Sequence, residues 1–149
     1  MPSGNAKYTT QSNNKNINAL IDIQNHVLLL GSVGTDFDNL PIIYRVAIYA
    51  FVDNAELINV KFSSGLAIIG DFAFNSCDNL NKVELPATLT NIANHVFQDC
   101  TSLQTINFGG TMTEWNAIIK GNLWNTNVPN TCIIYCSDGN LYLDGTSVD

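Results

Sequence analysis

From Val46 to Phe108 one hydrophobic pattern is written three times at a constant spacing of 23 residues. With Val46, Ile69 and Ile92 as starting points, Phe51, Phe74 and Phe97 fall into register, followed by Leu57, Leu80 and Leu103. Val60, Val83 and Ile106 come next, then Phe62, Leu85 and Phe108. Ala50, Ala73 and Val96 keep step, as do Asn54, Cys77 and Cys100. A fixed period of this length means stacked supersecondary units, each too small to bury its own apolar face and each completed by its neighbour.

The segments LINVKF, LNKVEL and LQTINF carry leucine-rich spacing, and side chains in a strand alternate between faces. Stacked, the three predict a short parallel sheet. Its inward columns are Val60, Val83 and Ile106 beside Phe62, Leu85 and Phe108. Its outward face holds Asn59, Lys61, Lys82, Glu84, Thr105 and Asn107, a mostly polar surface of the kind repeat proteins use for binding.

AFVDNAEL, AFNSCDNL and VFQDCTSL place an aromatic ring before clustered turn-forming residues. The expectation is a tight turn whose ring plugs the space between successive coils. Here the chain resembles the BspA-type leucine-rich repeats of bacterial and protist surface proteins. IGDFAFNSCDNLNKVELP, Ile69 to Pro86, matches their consensus at nearly every defined position. The unit at Ile92 departs at Ala93 and Val96, and the unit at Val46 has Asn54 in place of cysteine and lacks the glycine. The resemblance covers roughly Ile43 to Gly109.

The flanks read differently. Residues 1–16 are polar and rich in Asn, Ser, Thr and Lys, which fits either a tail or an arm held by assembly. Residues 17–45 are expected to form an N-terminal cap and partial repeat. In that stretch Val27 to Leu30 looks like a buried strand, and Asp36 to Ile43 like half a unit. Repeats occupy 46–109, and 110–149 is a C-terminal capping module. In TMTEWNAIIKG, Thr113 is the expected N-cap of a short amphipathic helix. Trp115, Ile118 and Ile119 share its apolar face, and Gly121 ends it. TCIIYC and LYL then form two strands about a Ser137-Asp138-Gly139-Asn140 turn. This ending is similar to the one that follows many BspA-type arrays. The fold class is therefore a mainly β solenoid of about three 23-residue leucine-rich repeats, with an N-terminal cap and a helix plus β-hairpin cap at the C-terminus.

Composition narrows the partners. Charged residues make up only 13% of the chain, against 46% hydrophobic, and 6 basic residues face 13 acidic ones for a net charge of −7. A nucleic-acid backbone or an anionic membrane surface needs clustered Lys and Arg, which are missing here. No apolar run approaches a membrane span, and no basic-then-apolar export signal opens the chain.

Four cysteines and two histidines raise metal and thiol chemistry. Cys132 and Cys136 lie four apart on one face of a strand, unlike the close knuckle of a zinc site, and read as packed thiols. Cys77 and Cys100 hold equivalent repeat positions. They fall within the range a disulfide spans, but a ladder of buried free thiols is the preferred reading. His95, Asp99 and Cys100 are the residue types of a thiol triad, yet Cys100 is a structural column member and cations to activate it are few. His26 has no evident partner. No phosphate loop, nucleophile elbow or metalloprotease helix occurs, and no cofactor is implied. Trp124, in a polar loop, is a candidate glycan platform, whereas Trp115 belongs to the core.

The expected function is a binding module without catalysis. Asn59, Lys61, Lys82, Glu84, Thr105 and Asn107 form its contact surface for a protein partner or cell-surface ligand, and the resemblance implies adhesion at a cell surface. The competing expectation is a structural component of a larger assembly, such as a phage particle or surface layer, anchored by residues 1–16.

Overall fold

In a computed structural model of the chain, residues 45–62 and 64–149 are described in full. Three further strands are described by their backbone: β1 (Asn5–Lys7), β2 (Ala19–Asp22) and β3 (Val27–Leu30). The half unit expected at Asp36 to Ile43, and His26, lie outside the described residues, as does most of the arm 1–16.

The period becomes a helical winding of the backbone. Each coil has a two-residue strand, a tight turn and a four-residue strand. Coil 1 holds β4 (Arg45–Val46) and β5 (Asn59–Phe62), and coil 2 holds β6 (Ile68–Ile69) and β7 (Lys82–Leu85). Coil 3 holds β8 (Asn91–Ile92) and β9 (Thr105–Phe108). The longer strands pair in parallel with the register Val60↔Val83↔Ile106, and the shorter ones with Val46↔Ile69↔Ile92. A one-residue slip would turn every apolar column outward, so burial of one face holds this register.

A fourth coil follows, which the 23-residue period conceals. After β9 the chain makes α1 (Met112–Ala117), then β10 (Ile119–Lys120), which pairs in parallel with β8. β11 (Ile133–Cys136) pairs in parallel with β9, Ile134 opposite Ile106, and β12 (Gly139–Tyr142) turns back antiparallel. The hairpin expected as a separate module thus extends the repeat sheet. On the other side β3 pairs in parallel with β5, and β2 and β1 follow antiparallel. The result is an eight-stranded sheet, β1-β2-β3-β5-β7-β9-β11-β12, and a four-stranded one, β10-β8-β6-β4.

Two helix expectations are corrected. The N-cap is Thr111 rather than Thr113: its side chain accepts from the Glu114 N–H while the Glu114 carboxylate accepts from the Thr111 N–H at 2.7 Å, a capping box. The helix stops at Ala117, with Ile118 extended at the C-cap, so Ile119 leaves the apolar face and stands 66% exposed in β10. Gly121 has another reason to be glycine, since a Cβ there would lie 2.5 Å from the Asn94 backbone nitrogen in the coil beneath.

The core fills the coil interior in columns. Phe51, Phe74 and Phe97 are fully buried and stacked, with centroids 5.2 and 5.7 Å apart, as the turn motif predicts. Trp115 is buried among Phe108 and Trp124 and closes the column at the helix corner.

Candidate functional site

The inward residues of each long strand are buried, so alternation presents the intervening ones on the outer face of the larger sheet. Register sets them in two rows. One runs Asn59, Lys82, Thr105, Ile133 and Tyr142, and the other Lys61, Glu84, Asn107, Tyr135 and Asn140. The six residues singled out from the sequence thus lie together as a contiguous patch, Lys61 exposed and the others half-buried between their neighbours. Across four strand-to-strand steps, from β5 to β12, the face is about 19 Å wide.

Repeat spacing alone leaves out the far end of this face. Tyr135 and Tyr142 are 43% and 42% exposed, one in each row on neighbouring strands. The alternation of TCIIYC was the available signal; the missing fact was that β11 joins β9.

Trp124 does not offer a sugar platform. It is 7% exposed and in T-shaped contact with Phe97 at 6.4 Å and Trp115 at 6.1 Å, so the indole is taken up in core packing. The reason is positional: Trp124 accepts at its carbonyl from the Phe97 N–H, as Val96 does from Phe74, which makes it the coil-4 member of an inward column.

The thiol and imidazole groups do not converge. Cys100 is fully buried and its Sγ donates to the Phe74 carbonyl at 3.1 Å, as Cys77 Sγ does to Phe51. Burial pushes the Cys77 and Cys132 thiols up to about 12 and raises Cys100 further, the opposite of an activated thiolate. All four cysteines are free. His95 lies on the turn ridge instead, its ring stacked 4.5 Å from Phe72 and its Nδ1 bonded to Gln98 Oε1. Among the described residues no three His, Cys, Asp or Glu side chains gather as a metal would need, and no helix is long and apolar enough to cross a membrane.

The turn ridge carries a feature outside the sequence reading. Tyr49, Phe72, His95 and Leu123 all sit at positive φ, between 53° and 59°, one per coil. Asp53, Ser76, Asp99 and Asn127 form a second such series, at 58° to 64°. Beside them runs a polar ladder, in which Asn94 N–H donates to Asp71 Oδ1 and Asn122 N–H to Asn94 Oδ1.

Comparison with known proteins agrees with this geometry. The family model described as BspA type leucine rich repeat region matches residues 36–137 in six copies. No curated protein matches the chain. Among solved structures, a leucine-rich repeat protein from Eubacterium ventriosum is 19% identical with a TM-score of 0.54, covering 91% of this chain and 40% of that one. The T. pallidum leucine rich repeat protein is 22% identical with a TM-score of 0.47, covering 83% and 63%. The pneumococcal vaccine antigen PcpA is 17% identical with a TM-score of 0.44, covering 85% and 44%. The chain spans less than two thirds of each of these structures. With a family model over most of its length, and a ladder of parallel coils that puts the repeat's Phe, Cys and Leu positions in buried columns, the chain belongs to the BspA-type leucine-rich-repeat family.

Proposed function

We propose that the chain is a recognition module that binds a protein or cell-surface ligand through the outer face of its larger sheet. Asn59, Lys61, Lys82, Glu84, Thr105 and Asn107 are its contact residues. Leucine-rich-repeat chains are in general non-enzymatic binding scaffolds, and the family points to protein interaction or surface binding. The observation that carries the reading is the continuity of the face: two mostly polar rows run in register from β5 to β12, and their far end carries the exposed Tyr135 and Tyr142. Such a surface combines charges that select a partner with aromatic side chains that anchor it.

The test is adhesion of the purified chain to matrix-coated surfaces and intact cells, beside two variants. One carries Lys61→Glu, Lys82→Glu and Glu84→Lys; the other carries Tyr135→Ala and Tyr142→Ala. All five side chains point outward, so both variants should fold. Loss of adhesion in both is expected. Undiminished adhesion in both variants would refute the assignment.

A further inference from the structure

Each coil hands three backbone N–H groups to the next. Tyr49, Phe51 and Asp53 donate to the carbonyls of Asp71, Ala73 and Asn75 at 2.9, 2.8 and 2.8 Å. Phe72, Phe74 and Ser76 donate in the same way to Asn94, Val96 and Gln98, and His95, Phe97 and Asp99 to Asn122, Trp124 and Thr126. In coil 4 the corresponding donors are Leu123, Asn125 and Asn127. The backbone there has the same shape, with φ of 53° at Leu123 and 64° at Asn127 against 59° at His95 and 63° at Asp99. Their N–H groups therefore point out of the end of the stack. Among the described residues none of the three meets an acceptor. The Asn127 side chain does not cover the row, because its Nδ2 turns back to Asp99 Oδ1. Leu123 is 57% exposed beside it, at the end of the column that holds Tyr49, Phe72 and His95.

The other half of this end is closed. β12 adds a strand beyond β11, and the chain folds back along β12 through Tyr142 N–H to the Thr146 carbonyl and Val148 N–H to the Asn140 carbonyl, both 2.9 Å. The end of the solenoid is thus a step: a finished sheet edge stands above a shelf with three aligned donors.

We propose that this shelf binds one short peptide segment of a partner protein, wound as the inner turns are, which adds to the turn ladder in the place of a fifth turn. The shape decides the occupant. A second stack laid end-on would strike β12 and the folded-back tail before its turns reached Leu123, and two such ends facing each other would set donors against donors. A single segment fits beside the raised edge and, wound into turns like those that the Ala73, Asn75 and Cys77 N–H groups close on Gly70, Phe72 and Phe74, supplies backbone carbonyls on alternate residues. By the pattern of the inner junctions, the residue between its first two carbonyls lies over Leu123 and is apolar or aromatic. Its second carbonyl-bearing residue packs on Trp124.

The probe is a synthetic peptide with the sequence of residues 69–76, IGDFAFNS, whose Asp, Ala and Asn carbonyls make these bonds within the chain. The amide resonances of the full chain are followed by NMR as the peptide is added. The expected result is shifted and exchange-protected amides at Leu123, Asn125 and Asn127. Leu123→Asn, on an exposed side chain in a conformation Asn accepts readily, should weaken binding by about tenfold or more. Unchanged shifts at those three amides at millimolar peptide would overturn the proposal. So would shifts confined to Lys61, Glu84 and Asn107, a result that would leave the outer-face reading standing.

Discussion

The Sγ of Cys100 donates a hydrogen bond to the carbonyl oxygen of Phe74 at 3.1 Å, one coil back, in the dry interior of the turn. Cys77 repeats the contact with Phe51. The cysteine of the repeat is thus a small apolar filler that also satisfies a backbone acceptor from the coil before it. Cys100→Ala should destabilise the chain by about 1–2 kcal/mol, through lost volume together with the second of two hydrogen bonds to the Phe74 carbonyl, which keeps the one from the Cys77 N–H at 3.2 Å. Urea unfolding monitored by circular dichroism would measure this; an unchanged midpoint would show that the thiol contributes nothing there.

The same burial makes stability depend on pH in the alkaline range. Burial raises the Cys77 thiol from 9.0 to about 12 and lifts Cys100 in the same direction, with the neighbouring Cys77 thiol adding to the effect. A group that holds its proton more tightly when folded contributes its stability in full below the unfolded value and loses it as pH rises toward the folded one. Stability should therefore fall above about pH 9, by about 1.4 kcal/mol per pH unit for each thiol. Lys120, whose ammonium burial lowers, acts with the opposite sign. The slope should therefore be compared with that of a variant carrying Cys77→Val and Cys100→Val. Identical slopes in the two chains would contradict the assignment to the thiols.

Gly70 lies at a close approach between coils 1 and 2. A Cβ on it would stand 2.7 Å from the Val46 carbonyl oxygen and 2.9 Å from the Ile48 nitrogen, both backbone atoms that cannot rotate away. Gly70→Ala should cost about 1–3 kcal/mol by overpacking, with the Gly70 N–H to Val46 carbonyl bond, 2.9 Å, the first contact to lengthen. Thermal unfolding of the variant, with amide exchange at Gly70, would test both parts.

Phe72 sets two effects against each other. Its φ of 58° is costly for a bulky residue, by about 1–2 kcal/mol, whereas its stacks on Tyr49 and His95 contribute about 0.5–1.5 kcal/mol each. Phe72→Asn relieves the first and removes the second, so the net change in unfolding free energy should lie between about 1 kcal/mol gained and about 2 kcal/mol lost. A loss above about 3 kcal/mol would mean that the stacked column, not the backbone, governs the ridge.

The hydrophobic period of Val46 to Phe108 was enough to define parallel coils, the inward columns and the polar rows Asn59, Lys82, Thr105 and Lys61, Glu84, Asn107, because equal spacing along the chain becomes equal position in the stack. What it could not reveal begins at Gly109. There α1 lengthens the corner, and the offset between paired strands goes from 23 residues at Val83↔Ile106 to 28 at Ile106↔Ile134. A period counts residues, whereas a hydrogen-bond ladder is blind to the length of a corner. The fourth coil, the burial of Trp124 and the addition of Tyr135 and Tyr142 to the outer face were therefore decided only when the backbone closed on itself in space. The left-handed ridge at Tyr49, Phe72 and His95 was hidden for a related reason. Its conformation is imposed by pairing between coils, against the local preference of residues that alone would avoid it.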